Sequence, residues 1–455
     1  MVDTTTRPAP DAAAERDRNV YDVLAERGFI AQVSDEAGLR AALAQPLTLY
    51  CGYDPTATSL HIGNLLTLMM LAHCQRHGHR PIALLGGGTG MIGDPTDRAA
   101  QRPIMTVEQI GANIAALRPI FARYLDFEGD AGGGVQPALL VNNADWLLEL
   151  RYIPFLRDIG IYFSVNQLLS HSTYRERLES EGTGLNFIEL NYALLQGYDF
   201  LHLHRAHGCA LQVGGNDQWF NILAGTELIR RADGGRAFAL VAPLLTTASG
   251  EKMGKTASGE RIWLDPAQTS PYDFYQYWIN VPDDRVAQLM KLFTFLPLDE
   301  IAALTSAAGA DIRRAKEVLA FEATRITHGE AEARDAQAAA RALFGAARGT
   351  LSGRATLTVG EPTGTARGEV TRSTSTELSA ILSSNVPTTT VPRADLEAGV
   401  PVLDLFVAAG LAKSRGEARR LVAQGGAYLN GEPVADPDRR VAAAALADGA
   451  LLLRA

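Results

Sequence analysis

Two short stretches carry residue types and spacings suited to work on phosphates. The first is 50–64, Tyr-Cys-Gly-Tyr-Asp-Pro-Thr-Ala-Thr-Ser-Leu-His-Ile-Gly-Asn. Before it, Leu47-Thr48-Leu49-Tyr50 is an apolar and aromatic run that reads as a buried strand. Asp54-Pro55-Thr56 breaks that strand, because proline ends the ladder and Asp and Thr favour turns. From Leu65 onward, Leu66, Met69, Met70 and Ala72 predict a helix with Ser59 or Asn64 near its start. His61 and Gly63 then fall where a strand feeds a helix N-terminus, whose free N–H groups and dipole attract anions. Gly63 would let a large flat group approach the backbone. Taken alone, the stretch fits equally a histidine that only caps a helix. The second stretch is 252–256, Lys-Met-Gly-Lys-Thr, flanked by Ser249-Gly250-Glu251 and Ala257-Ser258-Gly259-Glu260. Lys252 and Lys255 on such a loop can close on a polyphosphate, whereas on a stable helix they would repel each other.

A strand and turn leading to His-Ile-Gly-Asn resembles the HIGH signature of the class I aminoacyl-tRNA synthetases. Lys-Met-Gly-Lys-Thr resembles that family's KMSKS loop in the variant used by its tyrosyl members. The two halves stand in the family's order. Asn64 replaces the second His of the signature, and Gly254 and Thr256 replace its serines; both are variants that tyrosyl enzymes tolerate.

The elements that must position these stretches are an alternation of strands and helices. Pro81–Leu85 reads as a second buried strand, followed by the run Gly86-Gly87-Gly88-Thr89-Gly90 and then Asp94. Glycines at a strand's C-terminal end let backbone approach a ligand, but the spacing does not fit a P-loop. Arg98 and Arg102 follow, readable as a solvated charge pair with Asp97 or as a phosphate clamp. Val107–Tyr124 reads as a helix, and 138–141 as a third strand ending in Asn142-Asn143-Ala144-Asp145-Trp146. In the helical stretch 187–200, Tyr192, Gln196 and Asp199 share one face, which is more often plain surface than a site. A strand from Cys209 reaches Gly214-Gly215-Asn216-Asp217-Gln218, where glycines again meet a helix start. The last strand, 237–245, ends in Leu244-Leu245 and leads to the lysine loop. This alternation predicts an α/β fold with a Rossmann-like parallel sheet.

Beyond 263 the pattern turns helical, over 271–279, 283–294, 299–307 and 312–347. Residues 349–377 are rich in Thr, Gly, Ser and Arg with few large apolar residues, and predict a flexible linker. From 401 order returns: an apolar helix, then a basic one with Lys413, Arg415, Arg419 and Arg420 against Glu417, then apolar runs around Asn430-Gly431, a hairpin signal. This end resembles the S4-type RNA-binding module. The domain expectation is a disordered tail (1–18), a catalytic domain (19–262), an all-helical anticodon-side domain (263–347), a linker (348–395) and a small α+β S4-like domain (396–455).

Length and composition agree with several soluble domains: 455 residues exceed one core, and 47% are hydrophobic against 20% charged. No apolar run approaches the ~20 residues that span a membrane, and the first residues lack the apolar core of a signal peptide. Three widely spaced cysteines predict a reducing cytoplasm and neither disulfides nor a zinc site. The net charge of −9 leaves any RNA contact to a local basic patch.

From about Tyr21 onward the chain is similar to the bacterial-type tyrosyl-tRNA synthetases. The resemblance implies that L-tyrosine and ATP, with Mg²⁺, give tyrosyl-adenylate, and that tRNA(Tyr) takes the tyrosine. It implies Tyr50 and Asp199 on the tyrosine phenol, Asp94, Tyr192 and Gln196 on its ammonium, and Gln218 on its carboxylate. Thr56 and His61 would meet the leaving pyrophosphate, and Arg98, Arg102, Lys252, Lys255 and Thr256 would form a mobile clamp. Cys51, Gly215 and Asp217 would lie at the ribose, and Gly63, Leu244 and Leu245 at the adenine, with Asp54 and Asn64 also toward ATP. No metal-ligating residues of the protein are expected. A homodimer is implied, with the segment around Phe187–Leu190 on its interface. Three alternatives stay open at this point: a tryptophan-activating relative, a retired RNA-binding paralogue, and a ligase that passes the adenylate to a non-RNA acceptor.

Overall fold

A computed structural model describes residues 18–94, 105–129, 135–169, 175, 187–246, 253–254, 261–306, 310–344, 354–360, 388–430, 432–446 and 450–454. They divide between two compact units, Met1–Thr269 with Asn280–Leu319, and Ser270–Ile279 with Ala320–Ala455.

The first unit is built on a sheet of six strands: β1 (Gln32–Val33), β2 (Thr48–Tyr53), β3 (Arg80–Leu85), β4 (Leu139–Asn142), β5 (Cys209–Gly215) and β6 (Phe238–Ala242), in the order β1-β6-β5-β2-β3-β4. All pair in parallel except β1, which runs antiparallel to β6. Each predicted strand is present, and β2 runs three residues past its predicted end at Tyr50. The chain proceeds from β2 to β3 and β4 on one side, then returns to place β5 and β6 on the other. That reversal opens a crevice at the carboxyl ends of β2 and β5, where open α/β sheets bind ligands.

Helix α1 (Val20–Arg27) begins at Asn19, whose side chain accepts from the Tyr21 N–H. Its last residue, Arg27, is buried and donates to the carbonyls of Lys291, Thr294 and Leu296 at 3.0, 3.1 and 2.7 Å. It thereby satisfies the orphan carbonyls that end a later helix. Helix α2 (Ile62–Arg76) crosses from β2 to β3 and is buried nearly all round, which fits its apolar run from Leu65 to Ala72. Helices α3 (Val107–Phe121), α4 (Phe187–His207) and α5 (Trp219–Asp233) complete the cover described here. The stretch 283–294 begins as a short 3₁₀ turn and continues as a helix over Val286–Phe293.

In the second unit, helix Pro271–Ile279 packs its aromatic face, with Phe274 on Trp278 and on His328 at ring separations of 6.0 and 4.9 Å. The stretch 312–347 is two helices, Ala310–His328 and Glu330–Phe344. The break falls at Gly329, whose φ of +103° only glycine adopts without strain.

The C-terminal module has its own apolar core, including Leu396, Leu405, Phe406, Val422, Leu429 and Leu453. The predicted hairpin forms: Tyr428–Leu429 pairs with Glu432–Pro433, and Asn430 has a positive φ of 50°. The span 348–395 departs from the expected linker. Arg354–Gly360 is a strand that pairs antiparallel with Ala450–Arg454 and parallel with Thr388–Pro392. Thr356-Leu357-Thr358-Val359 alternates polar and apolar residues with β-branched side chains, a local strand pattern diluted by composition averaged over 349–377. Among the described residues, no helix is long and apolar enough to cross a membrane.

Candidate functional site

The crevice is a cleft of about 760 Å³. Every described residue singled out for tyrosine or ATP lines it, drawn from β2, the turn into α2, α4, β5 and the end of β6. Tyr192, Gln196 and Asp199 face it together, so this helix face is not plain surface. Arg98, Arg102, Lys252, Lys255 and Thr256 lie outside the described residues.

The closed end is formed by Tyr50 and Asp199. Tyr50 is 1% exposed, its ring edge-on to Phe200 at 5.2 Å, and its hydroxyl has no partner among the described residues. The Oε1 of buried Gln212, opposite Tyr50 on β5, is likewise unpartnered. An unpaired buried polar atom is costly, so a polar ligand group entering here could satisfy these two. Asp199 is 2% exposed and accepts from Asn143 Nδ2 at 2.9 Å and Trp146 Nε1 at 2.8 Å. Its carboxyl is raised to about 7, burial outweighing the two donors that lower it, with Asp54 adding to the rise. Burial, with Asp199 beside it, also raises the Tyr50 phenol well above its ordinary value.

Asn143 and Trp146 are functional positions that sequence reasoning passed over as the end of a strand. Asn143 Oδ1 accepts from the Gly88 N–H at 2.7 Å, and its Nδ2 reaches Thr89 Oγ1 at 3.1 Å as well as Asp199. Asn142 Oδ1 accepts from Gly87 N–H at 3.1 Å. The glycine run is thus pinned by two asparagines, Asn142 as the last residue of β4 and Asn143 just after it. Their place at the carboxyl end of a parallel strand was the available signal.

Midway along the cleft, Thr89 Oγ1 donates to Asp54 Oδ1 at 2.9 Å and Tyr192 Oη to Asp54 Oδ2 at 3.1 Å. Gln218 Nε2 donates to Asp94 Oδ2 at 2.8 Å, which brings those two candidates together. Cys51 is buried and its thiol is pushed up to about 11 by burial, so it is neutral and a poor nucleophile.

The open end is the start of α2. His61 is its N-cap: Nδ1 accepts from the Gly63 N–H at 3.0 Å, while the His61 N–H donates to Asn64 Oδ1 at 3.2 Å. This is a capping box, so the helix-cap reading of His61 is correct and compatible with a role toward ligand. With Nδ1 accepting, the neutral ring carries its proton on Nε2. Burial, with Arg261 next, lowers its pKa to about 4. The large flat group against Gly63 is the His61 ring itself, since a Cβ there would meet His61 Cε1 at 2.8 Å.

The described part of the lysine loop, Met253 and Gly254, is bonded to Leu245 just beyond β6 and, through Ile262, to this turn. Met253 N–H donates to Leu245 O at 2.8 Å, Ile262 N–H to Gly254 O at 3.0 Å, and Ile62 N–H to Ile262 O at 3.1 Å. Gly254 has a φ of +112° and lies against the Gly63 backbone. The Trp263 ring, 6.0 Å from that of His61, backs the histidine. Among the described residues, no group of three His, Cys, Asp or Glu side chains could hold a metal ion.

On the C-terminal module, Ser414 caps the helix Arg415–Ala423. Its basic residues are less free than the sequence suggested. Arg415 pairs with Asp404 and Arg419 with Asp438 at 2.6 Å, while Glu417 accepts from the backbone N–H of Lys413 at 2.7 Å, which leaves the Lys413 ammonium out of that bond. Arg420 makes no ion pair among the described residues. Both pairs are solvent-exposed, and such pairs contribute little and exchange partners readily.

Comparison with known proteins agrees with this geometry. The family described as tRNA synthetases class I (W and Y) matches residues 42–345, and the S4 domain matches 403–444. A tyrosine–tRNA ligase of Desulfosudis oleivorans is 48% identical over 96% of both chains. That of Syntrophus aciditrophicus is 49% identical over 92% of both. Among solved structures, a C-terminally truncated mitochondrial tyrosyl-tRNA synthetase of Aspergillus nidulans is 30% identical with a TM-score of 0.65, covering 73% of this chain and 98% of its own. With a strand-ended cleft, a capped His61 turn and relatives this similar along nearly its whole length, the chain belongs to the class I tRNA synthetases, in their bacterial-type tyrosyl branch.

Proposed function

We propose that the cleft activates L-tyrosine with MgATP and that the tyrosyl group then passes to the 3′ end of tRNA(Tyr), with release of AMP and pyrophosphate. The observation that carries the reading is the closed end, where the unpartnered Tyr50 hydroxyl stands beside the doubly held Asp199 carboxylate. A phenol O–H entering there donates to Asp199 and accepts from Tyr50. Phenylalanine would leave the Tyr50 hydroxyl unpaired and give the buried Asp199 carboxylate nothing beyond its two protein donors. For a tyrosyl-tRNA synthetase the resulting discrimination is known to be about 10⁵-fold, a value that belongs to this class of enzyme and does not come from the present geometry.

Asp94, Tyr192 and Gln196 take the ammonium and Gln218 the carboxylate, which attacks the α-phosphorus. Thr56 and the Nε2–H of His61 receive the leaving pyrophosphate, helped by Arg98, Arg102, Lys252, Lys255 and Thr256. Cys51, Asp54, Gly215 and Asp217 hold the ribose side of ATP, and Gly63, Asn64, Leu244 and Leu245 its base side. Mg²⁺ enters as part of the ATP substrate. No side chain forms a covalent intermediate, so the rate comes from positioning and from donors aimed at charge that develops in the transition state.

Lys413, Arg415, Arg419 and Arg420 meet tRNA phosphates, the paired arginines exchanging carboxylate for phosphate. The catalytic, helical and S4-like parts follow the boundaries read from the sequence, with 348–395 now contributing strands. The enzyme works in the cytoplasm as a homodimer. Support for the dimer comes from Ile153, Ile161 and Phe187, which are 70%, 74% and 65% exposed within the stretch 148–187.

The test is Tyr50→Phe, assayed by ATP–pyrophosphate exchange with tyrosine and with phenylalanine. Loss of one hydrogen bond should lower kcat/KM for tyrosine by about tenfold and narrow the tyrosine-to-phenylalanine ratio. An unchanged ratio would contradict a phenol at this end of the cleft.

A further inference from the structure

His202 has no part in the roles set out above. It lies three residues after Asp199 on α4, so the two side chains leave the same helix face. Trp146 spans both. Its indole N–H donates to Asp199 Oδ1 at 2.8 Å, and its ring lies flat on the His202 imidazole, with centroids 4.3 Å apart and planes 14° from parallel. His202 is backed one turn earlier by Tyr198 at 6.4 Å, and Tyr198 by Phe155 edge-on at 5.8 Å. The row Phe155, Tyr198, His202, Trp146 therefore ends on the carboxylate at the closed end of the cleft.

This arrangement constrains the one degree of freedom that matters. Trp146 is half-buried and follows β4 on a short helical turn, Ala144–Leu147. Its hydrogen bond to Asp199 needs the indole plane held, since the N–H points along that plane. Asn143 fixes the other carboxylate oxygen through a side chain that is itself tied to the glycine run. The single N–H of the Trp146 indole is spent on Asp199, so its ring plane is held by packing, and among the described residues the flat imidazole supplies it.

We propose that His202 is a positioning residue for amino-acid selection, stacking on Trp146 so that the indole N–H stays on Asp199. Burial, followed by His207 and Arg205, keeps the His202 pKa below its ordinary value, so the ring stacks as a neutral imidazole at pH 7. Without the stack, Asp199 loses a steady donor and its buried carboxylate is harder to ionise. A neutral Asp199 is a weaker acceptor for a phenol and a smaller penalty for its absence. Tyrosine binding and the rejection of phenylalanine then weaken together.

The proposal rests on Asp199 receiving the phenol, and the experiment separates the two. ATP–pyrophosphate exchange with tyrosine and phenylalanine is measured on full-length His202→Ala, His202→Phe, His202→Leu and Asp199→Asn. His202→Ala should raise the tyrosine KM about tenfold, leave kcat and the ATP KM within about twofold, and lower the tyrosine-to-phenylalanine ratio. His202→Phe restores a flat ring and should recover the ratio, whereas His202→Leu fills the volume without one and should not. A ratio untouched by His202→Ala, or recovered equally by Leu, overturns the stacking role. If Asp199→Asn itself leaves the ratio unchanged, the phenol assignment falls, and His202 with it.

Discussion

In the proposed function Asp199 receives the tyrosine phenol, and its protonation gives that role a pH signature. Its pKa in the fold, about 7, lies above the ordinary carboxylate range because burial outweighs the Asn143 and Trp146 donors. The sign follows directly. A raised carboxyl pKa contributes stability below the unfolded value, and that contribution is lost as pH rises through about 7. Over the same interval the accepting carboxylate form becomes the major one. The kcat/KM for tyrosine should therefore climb between pH 6 and pH 8 with an inflection near 7, and the inflection should vanish in Asp199→Asn. A wild-type profile that stays flat over that range would contradict the role. His61 runs the other way: its pKa of about 4 keeps it neutral throughout this window, so it adds no inflection there. His61 was legible from its place where a strand feeds a helix, whereas Tyr50 and Asp199 were reached through the family resemblance, since a strand tyrosine and one polar helix face carry no local mark of a site. Asn143 and Trp146 were missed, because their importance lies in what they hold, and hydrogen bonds from β4 to α4 leave no local spacing to read.

At the scale of elements, strands β2 to β6 were readable from apolar runs and glycine punctuation, whereas the two-residue β1 and the order of strands in the sheet were not. Periodicity also gave the start of α2 but not the reason for Gly63, which only the folded-back His61 ring explains. The strand Arg354–Gly360 escaped because its partners, 388–392 and 450–454, are distant in sequence. Pairing energy belongs to both strands, so a short strand between biased segments shows little alone. That strand also defines a clean cut. Truncation after Ala347 removes all three paired strands and the basic helix together, leaving no orphaned edge from this sheet. ATP–pyrophosphate exchange with tyrosine should survive within about twofold, as expected from a site confined to the first unit. Charging of tRNA should fall by roughly 100-fold and lose part of its salt dependence. A truncated enzyme that charges tRNA as well as the full chain would show that the module is not an RNA arm.

For the whole molecule, the net charge of −9 would repel RNA if charge acted only globally. In the proposed function recognition is local, and Arg415 and Arg419, paired here with Asp404 and Asp438, would exchange those carboxylates for phosphates. The exposed apolar residues between 148 and 187 are the larger anomaly, since a monomer seldom leaves so many large apolar side chains in water. Sedimentation should give a particle of about twice the 48.8 kDa chain mass. A particle of single-chain mass that charges tRNA at full rate would sink the dimer.

The central claim, that the cleft selects tyrosine by its phenol, is tested most directly by ATP–pyrophosphate exchange with each of the standard amino acids in turn. Tyrosine alone should support rapid exchange, with phenylalanine weaker by a factor on the order of 10⁵ and tryptophan inactive. Rapid exchange with tryptophan or phenylalanine, or none with tyrosine, would contradict it.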